Sequence, residues 1–248
     1  MGLGNQVLYE MCEKNIAHDN VEVVSAKMWL ISRSYAVTPQ RRETKDNTII
    51  IDENGFVTTM YEDFFGNIGK ILIDDSRSKE LDAEIQRLST ARYTASFDED
   101  WPILLDIIRL IDLFNALVMD IIRQYDKVET DGKRVRQQIS LASKYLHFHL
   151  PQIVFISDSF SSQNASRRYA RDKEIAGWKK QISSIDIKSA KVKKEYLPHV
   201  LRCYKLFCTL PEVERTPRRV DDILLQDKLI RKKRPKKVPI PSTGVSIP

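Results

Sequence analysis

The chain has 248 residues, 42% of them hydrophobic and 8% aromatic, which is enough for one large buried core and excludes a disordered body. Its formal charge of +6 is local: six of the 40 Lys and Arg residues lie in Arg231-Lys232-Lys233-Arg234-Pro235-Lys236-Lys237, and the other 34 balance the 34 Asp and Glu. Three cysteines without ligand or framework spacing (Cys12, Cys203, Cys208) exclude a disulfide scaffold and point to a reducing, cytoplasmic setting. No signal peptide or membrane-spanning stretch is visible.

In chain order, the pattern predicts a short helix over Val7–Asn15 and a longer one over Val21–Ala36 that Pro39 ends. Thr48-Ile49-Ile50-Ile51 is a short β-branched run, and Tyr61–Ile73 and Arg77–Leu88 read as helices. Asp98-Glu99-Asp100-Trp101-Pro102 opens the central core helix, because acidic residues and proline both suit a first turn. From Ile103 to Ile122 only Asp106, Arg109, Asp112 and Asp120 interrupt the apolar pattern with charge, at rough helical spacing, so the helix has a wide apolar face about five turns long. Asp131-Gly132 marks a turn before a helix over roughly Arg136–Leu150, which Pro151 ends. Later helices are expected near Ala165–Ile182, Tyr196–Cys208 and Asp221–Leu229. Prolines 235, 239, 241 and 248 argue for an extended tail.

The resulting expectation is an all-α or mostly α fold. Residues 1–230 form a mostly helical domain, with room for a subdivision near 90–100, and residues 231–248 form a basic, Pro-rich, flexible tail. A basic tail on a neutral body reads as an electrostatic tether to a phosphate backbone or an acidic partner.

Candidate chemistry concentrates in one helix. Gln137, Ser140, Lys144 and His147 make a narrow polar stripe on an otherwise apolar surface that includes Ile139, Leu141, Tyr145, Leu146 and Phe148. A helix that apolar is surrounded by protein, so its stripe must face a cleft or a polar network. Lysine in such a place loses part of its solvation, and desolvation makes its amine a better nucleophile. The competing reading is that Lys144 reaches solvent while His147 and His149 cap backbone carbonyls. Downstream, Asp158 follows the apolar run Ile153-Val154-Phe155-Ile156 and stands where a cap for a helix over 159–165 belongs. A third constellation, Lys27 to Arg42, offers Arg33, Arg41 and Arg42 for phosphates, with Trp29 and Tyr35 for stacking; a core helix with solvated arginines accounts for it equally. P-loop, dinucleotide, zinc-deaminase and Cys-x-x-Cys signatures are absent, so no cofactor or metal is called for.

Two segments carry a resemblance. Lys27–Arg42 and Ser140–Ser159 resemble a family of uncharacterised bacterial proteins whose second motif looks like Ser-x-Ala-Ser-Lys-Tyr-Leu-His-Phe-His, then Pro, an apolar run and Tyr-Asp-Ser. Here it stands as Ser140 to His149, Pro151 and Ser157-Asp158-Ser159. The family tends to have Gly where this chain has Ser32. More remotely, the motif is similar to the lyase centre of the 8-oxoguanine branch of helix-hairpin-helix DNA glycosylases.

That resemblance implies a helix-hairpin-helix glycosylase-like fold and a DNA N-glycosylase or AP lyase, with Lys144 and Asp158 as catalytic residues. It also implies DNA rather than RNA as partner, and a setting beside bacterial anti-phage systems with protein partners in a defence complex. The hairpin loop of the glycosylases is replaced by Thr130–Arg136, so Lys133, Arg134 and Arg136 would grip phosphate, alongside Arg33, Arg41, Arg42, His147, Arg231, Lys232, Lys233 and Arg234. The alternative is a non-catalytic helical nucleic-acid-binding or assembly subunit held by its tail. A nuclease using Asp74, Asp75 or Glu99 lacks supporting spacing.

Overall fold

The computed structural model describes residues 3–35, 49–51, 57–59, 68–126, 138–182 and 187–232. They form an all-α protein. The helices are α1 (Leu3–Lys14), α2 (Val21–Tyr35), α3 (68–74), α4 (Ser76–Leu88), α5 (Phe97–Asp126), α6 (Ile139–His149), α7 (Ser159–Arg168), α8 (Lys173–Ile182), α9 (Leu197–Thr209) and α10 (Pro217–Lys232). The only strands among the described residues are β1 (Ile49–Ile51) and β2 (Val57–Thr59), a three-residue antiparallel ladder pairing Ile50 with Thr58.

Helix α5 is the axis of the core, as its apolar face dictates. Leu104, Ile107, Ile108, Ile111, Phe114, Leu117, Val118 and Ile121 are all fully enclosed. Its polar residues are used as anchors. Asp100, completely buried, accepts bonds from Thr94 N (2.8 Å), Ala95 N (2.9 Å) and the Tyr204 hydroxyl (2.6 Å). Those bonds hold Ala95 in a left-handed conformation (φ 69°) that a side chain disfavours. Asp112 accepts from Lys188 N and Ser189 N, and Asn115 Oδ1 accepts from Gln138 N at 2.7 Å. The last bond fixes where α6 begins.

Helix α6 packs against α1, α2 and α5 at once. That surrounding explains why every residue from Leu141 to Phe148 is buried. The Phe114 and Tyr145 rings stack at 4.5 Å between α5 and α6. Gly69 allows α3 to lie against α2; a Cβ there would fall 2.2 Å from Ser25 Oγ and 2.9 Å from the Val21 carbonyl.

Several boundaries differ from the sequence expectation. The single helix expected over Ala165–Ile182 is two. Helix α7 ends at Arg168, and Asp172 starts α8 by accepting from Glu174 N (3.0 Å) and Ile175 N (3.1 Å). A π-turn over Val192–Tyr196 leads without a break into α9 at Leu197, with Pro198 the second residue of α9. Helix α10 starts earlier than Asp221: Thr216 Oγ1 accepts from Arg219 N at 3.1 Å, and Pro217 takes the first helical position. It also runs through Arg231 and Lys232, the first two residues assigned to the tail. Residues 233–248 lie outside the described set.

Candidate functional site

Asp158 is delivered to its place by an extended segment whose carbonyls are each held by a different side chain. The Tyr93 hydroxyl donates to the Ile153 carbonyl at 2.7 Å, His147 Nδ1 to Val154 at 2.8 Å, the Tyr196 hydroxyl to Phe155 at 3.2 Å, and His199 Nε2 to Ile156 at 2.8 Å. Ser157 N then donates to Ser143 Oγ at 2.9 Å. Irregular backbone buried in a core must satisfy its polar groups somewhere, and here aromatic and imidazole donors from several helices replace a sheet partner. At the end of the segment Asp158 Oδ1 accepts from Phe160 N and Ser161 N, both at 2.8 Å, while Ser161 Oγ accepts from Asp158 N. This capping box opens α7, as the residue order predicts.

Lys144 comes from the middle of α6 and is 3% exposed. Its Nζ donates to Ser140 Oγ, one turn back, at 3.1 Å. Burial pulls its pKa below the ordinary lysine range, while the charges of Asp158 and Asp221 act against that fall. The structure thus couples the Lys144 amine to the charge of Asp158. It adds Asp221, which sequence reasoning missed.

Asp221 sits on α10, which packs against α7 and α9. It is 4% exposed, its Oδ2 lies 3.7 Å from Arg218 Nη1, and its Oδ1 has no hydrogen-bond partner. Burial, then the nearby Asp158 charge, push its pKa up to about 7. Nothing in the residue order around Asp221 distinguishes it from its half-exposed neighbour Asp222. Only the docking of α10 does.

His147, expected to meet nucleic acid, instead belongs to the core. It is completely buried, Nδ1 donates to Val154, and Nε2 accepts from the Tyr9 hydroxyl at 2.7 Å. Burial brings its pKa down to about 4, so the ring is neutral and both nitrogens are in use. His199 is its counterpart on α9, accepting at Nδ1 from Ser162 Oγ at 3.2 Å. The capping reading of His147 is the one the geometry bears out.

A cleft of about 610 Å³ opens beside this cluster, in the size range of small-molecule sites. Ser140, Asp158 and Ser162 line it, together with three basic residues, Lys179, Lys194 and Arg202, that the sequence reading did not single out. Arg202 Nε is buried without a hydrogen-bond partner, an unmet donor at the cleft wall. A second cavity of about 620 Å³ lies at the other end of α6, lined by Tyr9, Phe148, His149, Arg92 and Arg218 among others.

From the N-terminal constellation, Lys27 turns inward. Lys27 is fully buried, its amine donating to the Asn15 carbonyl and standing 3.5 Å from His149 Nε2. Burial lowers its pKa. Next to it His18 pairs with Asp82 and meets the Tyr145 hydroxyl at 2.8 Å. Among the other candidates, Arg41, Arg42, Lys133, Arg134, Arg136, Lys233 and Arg234 lie outside the described residues, as do the side chains of Arg33, Arg231 and Lys232. Asp75 is engaged as the cap of α4 and paired with Arg77 at 2.6 Å. Among the described residues no group of His, Cys, Asp and Glu is disposed to hold a metal ion, and no helix is long and apolar enough to cross a membrane.

No family model, no curated protein and no solved structure matches this chain.

Proposed function

We propose that the chain is a DNA glycosylase/lyase-like protein acting on a modified or damaged base, with Lys144 as the amine nucleophile and Asp158 as its acidic partner. The observation that carries this reading is a lysine 3% exposed, opposed in its charged form by burial and faced by two carboxylates, behind the wall of a cleft of about 610 Å³. A lysine so placed is the type that forms Schiff bases. The cleft lining sets Lys179, Lys194 and Arg202 against Asp158 and Glu195, and its basic side offers contacts to a phosphodiester. A place in bacterial anti-phage defence follows from the resemblance of the Lys144 and Asp158 segments.

In this reaction the target nucleotide leaves the stack and enters the cleft. The lone pair of neutral Lys144 Nζ forms a bond to C1′ of the sugar. The base departs with the electron pair of the glycosidic bond and takes up a proton. Asp158 stabilises positive charge building on the sugar. Opening of the sugar ring, with O4′ gaining a proton and the nitrogen losing one, gives the imine. Removal of a C2′ proton then expels the 3′ phosphate.

Borohydride reduces that imine to a stable amine. The wild type should therefore form a covalent adduct with duplex DNA carrying an abasic site or an oxidised base, and Lys144→Gln should form none. A wild type that traps no member of such a panel refutes the reading. One observation favours a second reading, a non-catalytic nucleic-acid-binding or assembly module: the amine is bonded to Ser140 behind the cleft wall rather than exposed in it. That reading predicts equal DNA affinity for wild type and Lys144→Gln and no adduct from either.

A further inference from the structure

The geometry points to a second ligand site in the cavity of about 620 Å³ at the other end of α6. It takes a small aromatic monocarboxylate, with the ring on Tyr9 and Phe148 and the carboxylate on Arg92. Distant parts of the chain meet there. Tyr9 and Ile16 come from α1 and the residues after it, Arg92 from the α4–α5 connection, Phe148 and His149 from the end of α6, and Arg218 from α10. The volume lies in the range of small-molecule sites.

The apolar part of the site is preformed. The Tyr9 and Phe148 rings touch, with centroids 4.7 Å apart and planes at 52°. The Tyr9 hydroxyl already donates to His147 Nε2 at 2.7 Å, so the ring and not the polar tip is left for a ligand. Ile16 adds aliphatic surface beside it. A flat ring laid on such a pair gains aromatic contact beyond the area it buries.

The polar part is held in place and lacks a counter-ion. Arg92 Nη1 donates to the Ser89 carbonyl at 3.2 Å and to the Ala91 carbonyl at 2.6 Å. Those bonds fix the guanidinium, and among the described residues no carboxylate pairs with it. A planar fork with only neutral acceptors keeps its charge for an anion. Arg218 is already shared, with Nη1 3.7 Å from Asp221 and Nε 3.3 Å from Asp222. Glu13 is the one acid among the residues lining the cavity. Two arginines, one of them opposed by two aspartates, against one glutamate fit a single negative charge better than a phosphate dianion. His149 adds a donor. Lys27 Nζ approaches its Nε2 at 3.5 Å, which puts the ring hydrogen on Nδ1, and Nδ1 is buried without a partner. Burial, then the Lys27 charge, keeps that ring neutral. An unmet donor on a cavity wall suits a ligand that brings acceptors.

Calorimetric titration of the full chain tests the site with indole-3-acetate. The comparators are indole-3-ethanol, which has the ring without the charge, acetate, which has the charge without the ring, and adenosine monophosphate. Indole-3-acetate should bind more tightly than about 1 mM, and each half-ligand about tenfold more weakly. Arg92→Gln should weaken indole-3-acetate roughly tenfold, the scale of one lost charge-assisted bond. Arg92 is exposed, so the variant should fold. Triple replacement of Lys179, Lys194 and Arg202 by Gln strips the other cleft and should leave this binding unchanged. Nuclear Overhauser contacts between the indole and the Tyr9 and Phe148 rings read the pose in the wild type and decide alone if Arg92→Gln does not fold. The assignment is overturned by absence of binding, by a half-ligand that binds as well as indole-3-acetate, or by tighter binding of adenosine monophosphate. Binding lost in the triple variant but kept in Arg92→Gln, or absent ring contacts, overturns it too. No part of it uses Lys144, so borohydride trapping succeeds or fails separately.

Discussion

Replacing Asp221 with Asn should flatten the pH dependence of stability between pH 4 and pH 7.5. The group rises from 3.8 to about 7 on folding, chiefly because burial opposes its charge. Within that window the folded protein keeps a proton that the unfolded chain has released. The native state then binds more protons than the unfolded one, so stability falls as pH rises. Each pKa unit is worth about 1.4 kcal/mol, and a shift of about three units sets a ceiling of about 4 kcal/mol. Lys144 and Arg218 each lose an anionic neighbour in the variant, which brings the expected gain of variant over wild type to about 2–4 kcal/mol across the window. Lys144 contributes with the opposite sign and at higher pH: its lowered pKa means the folded state gives up a proton first, so stability rises as pH climbs toward 10.5. Urea unfolding at pH 4.5, 6 and 7.5 measures the difference directly, with equal m-values as the control for a common mechanism. A difference between variant and wild type that stays constant within about 0.5 kcal/mol over these pH values would falsify the claim that Asp221 is buried without a full partner.

Three other outcomes can be checked alongside it. Asp158→Ala removes the side-chain acceptor of the α7 cap and should cost about 1 kcal/mol in urea unfolding, whereas Asp158→Asn should cost only a few tenths while still removing the charge that faces Lys144. Phe114→Ala should destabilise by about 3–5 kcal/mol, since the ring is fully buried and stacked on Tyr145; a loss under about 1 kcal/mol would show that α5 and α6 do not pack as described. Charge removal at Lys179, Lys194 and Arg202 together should reduce the salt dependence of DNA binding by about 0.7–0.9 for each phosphate no longer neutralised, and an unchanged slope would remove the cleft from the binding surface.

Much of this architecture is readable from residue order alone. Acidic residues announce the start of α5, although Pro102 falls inside the helix rather than in its first turn, and a wide apolar face identifies it as the core helix; both signals act within a few turns of backbone. Asp158 as a cap is equally local, because a capping side chain bonds amides two and three residues ahead. The break at Asp172 and the start at Thr216-Pro217 were available in the same vocabulary, and were obscured by the apolar periodicity running through one and the charge surrounding the other.

Tertiary packing decided the rest. His147 looks like a polar residue on a stripe beside Lys144, yet Tyr9 and the Val154 carbonyl, from other parts of the chain, consume both of its nitrogens. Asp221 and Asp222 are adjacent and chemically identical, and only the seating of α10 against α7 and α9 buries one and leaves the other half-exposed. Periodicity and caps are properties of neighbouring residues and survive in any string of letters. The charge state of a buried group depends on how much water the assembled helices remove and which charges they bring close, and that is known only once they have packed.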